Sequence, residues 1–191
     1  MRSFAAFAIA LVLLGAPSAS AKKMGSSLEM LTKDSDVIVV GKVVSVFAEG
    51  SHRFATVRVD AELKGRGDKE LTFVAFPTWS CDESFAVEGE QVFLFLSREM
   101  DVTVREAFRD VQRSRPAAPL FSVTHSGMGR MPVVEGDDDV AYALFVGSFI
   151  VPKDWDEVRL PNHARDATPL MPALAATTRC IATPELCTQR P

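Results

Sequence analysis

Three cysteines, three histidines and scattered carboxylates are the residues of this chain whose types support redox, metal or nucleophilic chemistry. Cys81, Cys180 and Cys187 permit one disulfide and one remaining thiol. A Cys180–Cys187 bridge closes a short loop around Pro184 and is worth roughly 2–3 kcal/mol by chain entropy. A bridge from Cys81 to the tail closes about a hundred residues and is worth up to about 4.7 kcal/mol. Both pairings fit the sequence. A reactive Cys81 is a third reading; no Cys-x-x-Cys motif and no neighbouring histidine supports it.

His52, His125 and His163 are not spaced with one another, or with cysteines and carboxylates, as a zinc site requires. His52 fits a solvated loop and His125 a structural place at a hairpin. Asp137-Asp138-Asp139 lacks the alternating acidic loop that wraps calcium, so it is expected to be a solvated turn. Gly127-x-Gly129 has no third glycine and no helix start behind it, so it is no phosphate cradle. There is no Gly-x-Ser-x-Gly elbow. Asp82 and Glu83 are adjacent and face opposite ways on a strand, whereas acid/base work needs convergent carboxylates. The remaining catalytic arrangement is a triad assembled across the fold from His125 and a distant serine. No metal and no cofactor is implied.

Two further groups are candidates for recognition. Trp79, in the loop Pro77-Thr78-Trp79, either anchors a partner or caps the fold. Arg105, Arg109 and Arg113 lie in an arginine-rich stretch, Arg98–Pro119, in which Val104, Phe108 and Val111 form a helical stripe. They suit an acidic protein or an anionic surface polymer. The plainer reading is a solvated, salt-bridged helix face.

The elements that position these residues begin after a leader. Arg2, the apolar run Phe4–Leu14 and Ala19-Ser20-Ala21 have the form of a secretory signal peptide over residues 1–21. The product is expected to be exported, periplasmic or extracellular, with no transmembrane segment after cleavage. The formal charge of −4 becomes −5 once Arg2 leaves with the leader. An acidic exported chain is a poor nucleic-acid binder. Ser26 and Glu29 have the spacing of a capping box, predicting a short helix from Ser27 to Lys33. The period then falls to two. Asp36–Phe47 is a valine-rich strand buried on both faces at its start, with Gly41 marking a bulge. Phe54–Leu63, Leu71–Phe76 and Gln91–Ser97 are further strands. Leu120–Thr124 and Arg130–Val134 flank Ser126–Gly129 as a hairpin. Val140–Val151 favours a strand over a helix. Prolines recur from Pro152 onward, around one apolar run, Leu170–Ala176.

Three blocks resemble a known family. They are Ser35–Val43, Val57–Val59 leading to Leu63-Lys64-Gly65, and Cys81 with Phe85, Gly89, Glu90 and Val92–Leu96. Over about Leu28–Val134 the chain resembles the netrin-type, metalloproteinase-inhibitor-like OB-barrel domains, including exported bacterial relatives. The resemblance implies a barrel and a lean toward protein binding. It does not carry the family's zinc-chelating inhibition, because that needs a cysteine at the mature N-terminus and this chain has none before Cys81. The expected architecture is mainly β. A small five- to six-stranded OB-like barrel spans residues 22–151, with a short N-terminal helix and an exposed insert at 98–119. Residues 152–191 are an irregular, proline-rich tail. The expected function is that of an exported, non-enzymatic binding module for a protein or surface polymer. The alternatives are a hydrolytic or ligand-modifying enzyme whose site forms only in three dimensions, and a passive envelope component.

Overall fold

The computed structural model describes residues 25–49, 52–75, 85–98, 108–109, 111–114, 119–125, 127–145, 149–152, 155–163 and 165–187. The expected leader, Trp79, Cys81 and Arg105 lie outside them. The chain opens with a two-residue strand β1 (Ser26–Ser27) and a helix α1 (Leu28–Asp34). Ser27, not Ser26, caps α1, accepting a hydrogen bond from the Met30 amide at 3.2 Å. Ser26 sits one residue too early and its hydroxyl is engaged elsewhere.

The strands β2 (Val37–Glu49), β3 (His52–Lys64), β4 (Glu70–Val74) and β5 (Gln91–Ser97) follow the period-two pattern. Next come β6 (Leu120–Val123), β7 (Arg130–Glu135), β8 (Ala141–Leu144), β9 (Phe149–Ile150), β10 (Val158–Arg159) and β11 (Asp166–Pro169). The last long element is a helix, α2 (Leu170–Ala182). Nine strands form one sheet in the order β10-β11-β8-β7-β5-β2-β3-β4-β6, and β6 also pairs with β5. That second pairing brings five strands into a partial ring. Its closure rests on two residue pairs between parallel β4 and β6 and two between β5 and β6. The molecule is therefore mainly β, but larger than the small barrel expected. The expected irregular tail also adds two strands and a helix.

Gly41 allows the ring to coil. The β2–β3 register shifts between Val40 and Gly41, and a Cβ at residue 41 would collide with the Arg58 carbonyl oxygen. Two main cores result, because the start of β2 is buried on both faces. Val37, Val39, Leu71, Phe73, Leu94 and Phe121 fill the ring. Ile38, Val40, Phe93 and Phe95 face outward and are covered by Leu28 and Leu31 of α1 and by Leu170, Ala173 and Ala176 of α2.

Two local expectations are corrected. Residues 120–135 are not a hairpin, since β6 and β7 run successively along the same edge of β5. Their backbone groups are spent on β5, so residues 124–125 and 127–129 lie off that edge, between the two strands. The Phe95 carbonyl accepts from the Thr124 amide at 3.0 Å, and the Phe95 amide donates to the Gly129 carbonyl at 2.8 Å. Gly129 is needed there, because a Cβ would lie 2.7 Å from the Phe95 carbonyl oxygen. The arginine-rich insert is not simply exposed either. Residues 108–109 and 111–114 are helical, and Phe108 and Val111 are buried against Phe54, Val74 and Leu120. This packing also explains why Phe54, on the outward face of β3, is fully buried.

Candidate functional site

The loop that leaves the β5 edge carries His125 with φ at 53°, in the left-handed region. This backbone turns the imidazole toward both ends of α1. Nδ1 hydrogen-bonds the Ser26 hydroxyl, and Nε2 lies 2.7 Å from the Asp34 carboxylate. A serine, a histidine and an aspartate from three separate segments thus form one chain of hydrogen bonds. The carboxylate only accepts, so in the neutral ring Nε2 carries the proton. Nδ1 then accepts from the Ser26 hydroxyl, which is polarised as a nucleophile would be.

The burial of the three residues argues the other way. Ser26 is 1% exposed, the His125 side chain 20% and the Asp34 side chain 47%. A hydrolase holds its carboxylate inside and presents the hydroxyl to substrate. Here the hydroxyl is inside and the carboxylate meets water. Neighbouring contacts are structural. Ser35 and Thr124 share a buried hydroxyl hydrogen bond of 2.8 Å. The Lys64 ammonium donates to the Thr32 and Ser35 carbonyls at 2.9 and 2.5 Å, satisfying the C-terminal end of α1. The whole set pins α1 to the 124–129 loop and to β3.

At the other end of the loop, the Arg130 side chain is 3% exposed and pairs with Glu90 at 2.7 Å. It also donates to the Phe85 carbonyl. Glu90 in turn accepts from the Val87 amide, fixing the turn before β5.

The sequence candidates are distributed as follows. Cys180 and Cys187 are bonded, with Cα atoms 4.9 Å apart, tying the end of α2 to the one-turn helix Pro184–Leu186. Arg109 and Arg113 are exposed on the helical segment that Phe108 and Val111 anchor. His52 begins β3 and His163 follows β10, both apart from His125 in the sheet. Asp138 lies in a turn and accepts from the Tyr142 hydroxyl at 2.8 Å. That bond holds the Asp138 carboxyl below its ordinary value and raises the Tyr142 hydroxyl. Among the described residues no three His, Cys, Asp or Glu side chains converge as a metal site. No helix among them is long and apolar enough to cross a membrane.

The participation of Ser26 and Asp34 with His125, and the Arg130–Glu90 pair, were missed by sequence reasoning. No spacing rule links residues 99 and 91 positions apart. The one available signal was a histidine beside glycines in a turn. No protein-family model matches this chain, and a comparison with curated proteins found no similar sequence.

Proposed function

We propose that this protein is an exported, non-enzymatic module of OB-like, netrin-type fold that binds an acidic protein or anionic surface polymer through its arginine-bearing helical segment. The observation that carries the reading is the anchoring of that segment. Phe108 and Val111 are buried on the ring while Arg109 and Arg113 face water. A rigid support of this kind lowers the entropy that a recognition surface loses on binding. The succession β2-β3-β4-β6-β5 around the partial ring suits a five-stranded Greek-key barrel. The Cys180–Cys187 bond suits an oxidising compartment.

The test is retention of the purified protein on an immobilised uronic-acid polysaccharide and on an immobilised acidic protein, eluted with salt. Retention on either matrix that falls to lower salt in the Arg109→Glu/Arg113→Glu variant supports the reading. Passage of the folded wild-type protein through both matrices at low salt, or retention unchanged by the double substitution, overturns it.

One observation favours a second reading. The Ser26–His125–Asp34 chain of hydrogen bonds is the connectivity of an acyl-transfer site. It ranks second because Ser26 is buried. Labelling by a fluorophosphonate probe that is lost in both Ser26→Ala and His125→Ala would promote it above the first.

A further inference from the structure

The Cys180–Cys187 bond lies in the wall of a cleft that opens to solvent between α1 and the end of α2. The cleft holds about 150 Å³ and is bounded by Glu29 and Lys33 on one side and by Cys180, Ile181, Pro184 and Cys187 on the other. A cavity of about this volume takes a molecule as large as benzene, so a thiol of a few heavy atoms fits it.

The two cysteines are unequally covered. Cys180 is 7% exposed, on the buried face of α2. Cys187, at the end of the one-turn helix, is partly exposed. A thiolate attacks the sulfur that access favours, which here belongs to Cys187. The bond also sits where the fold depends on it least. It joins residues only seven apart, and a short loop is the weakest kind of staple. Leu170, Ala173 and Ala176, which dock α2 on the sheet, all precede it.

We infer that Cys180–Cys187 is a thiol–disulfide exchange site, attacked at Cys187 by small thiols while the protein stays folded. The incoming thiolate bonds to the Cys187 sulfur. The Cys180–Cys187 bond breaks, and its electron pair leaves on the Cys180 sulfur, which takes a proton from water. A second thiolate then attacks the small thiol's sulfur in the mixed disulfide, and Cys187 leaves in turn. Both cysteines end reduced, and two small thiols end as one disulfide. The site is distinct from the arginine-bearing segment, which packs on Phe54 at the start of β3.

Two measurements on the oxidised protein test this. The first is the rate of reduction by dithiothreitol in urea below the unfolding transition. Direct attack predicts a rate within about twofold of that in buffer, because little surface has to be exposed first. A rate that climbs with urea in step with unfolding, or no reduction without denaturant, overturns the inference. The second is a brief exposure to 2-mercaptoethanol, quenched with N-ethylmaleimide. The adduct is placed by fragmentation of the peptide that holds both cysteines, and Cys81 is mapped separately. Mercaptoethanol is expected on Cys187 and maleimide on Cys180, with the reverse arrangement about tenfold rarer. Mercaptoethanol equally on both, or mainly on Cys180, overturns the assignment of Cys187 as the attacked sulfur.

Discussion

Inside the ring, Val39, Val57, Leu71, Leu94 and Phe121 come from five strands whose backbones are laced to one another. On the outer face of the same sheet, Ile38, Val40, Phe93 and Phe95 meet helices that share no ladder with it. The two cores are alike in composition and differ in what holds them shut. The ring is closed by backbone pairing, which forms and breaks cooperatively. The helical layer is held by side chains: its apolar packing on the sheet, Lys64 on the end of α1, and His125 between Ser26 and Asp34, while the disulfide only closes the end of α2 onto the turn that follows it. A region held by a few side-chain ties opens at lower free energy than one held by a ladder. The helical layer, which carries the His125 array and the cleft, is therefore the part that can open while the ring stays closed.

Arg130 stands at the joint between the ring and its four-stranded extension, and its removal should have the largest effect. Arg130→Ala leaves Glu90 in a nearly dry site without its charge partner, a loss of about 3–5 kcal/mol. Arg130→Met together with Glu90→Gln should cost much less, because no charge is stranded. Urea unfolding measures both. Equal losses in the two variants would show that the pair matters for packing and not for charge.

Reduction of Cys180–Cys187 should come next, at roughly 2–3 kcal/mol from a short loop. The comparison above predicts where that loss falls. Hydrogen exchange should accelerate in α2 and leave β2, β3 and β5 protected. Uniform acceleration would show that helices and ring open as one unit and would remove the distinction.

Cutting the His125 tie is expected to be milder. His125→Ala strands the buried Ser26 hydroxyl, a cost of about 1–3 kcal/mol. Ser26→Ala/His125→Ala removes both groups and should recover part of it. No recovery in the double variant would mean that Ser26 is satisfied without the imidazole.

The two cores also differed in how far they could be foreseen. The valine run of β2 and the apolar segment of β5 announce themselves by period, and the structure places them as expected. Gly41 was recognisable as a bulge because glycine interrupts a valine-rich strand, and the structure shows that a Cβ there would strike the Arg58 carbonyl. The helical layer was less visible. Leu170–Ala176 stood among prolines, yet Pro172 sits in the first turn of α2, where a missing amide costs nothing. Ser126–Gly129 has the composition of a hairpin turn, but composition does not say which edge the flanking strands will use. Both use β5, and the displaced loop thereby acquires His125 in its left-handed conformation. The Phe108–Val111 stripe was visible, but its target was not, because Phe54 lies on the face of β3 that alternation assigns to solvent. The candidate site is a product of these long-range choices, which is why only His125 among its three members was named in advance.

The smallest effect tests the four-stranded extension of the sheet, where Tyr142 is buried apart from both main cores. Tyr142 on β8 donates to Asp138 in the preceding turn, and this bond is the first cause of the lowered Asp138 carboxyl and of the raised Tyr142 hydroxyl. The sign follows from linkage. A carboxyl lowered by folding adds stability above its ordinary value of 3.8, and that stability is lost as pH falls through the folded value. A phenol raised by folding adds stability below its ordinary value of 10.0, lost as pH rises through the folded value. Tyr142→Phe should therefore be less stable than wild type between these limits, and the two denaturation midpoints should converge at either extreme. A gap that persists unchanged into acid would mean that the hydroxyl does not act through the carboxylate. A gap that closes in acid would show that this outlying turn is tied by a single charge-assisted bond, as the helical layer is tied by its own few side chains, leaving backbone closure to the ring alone.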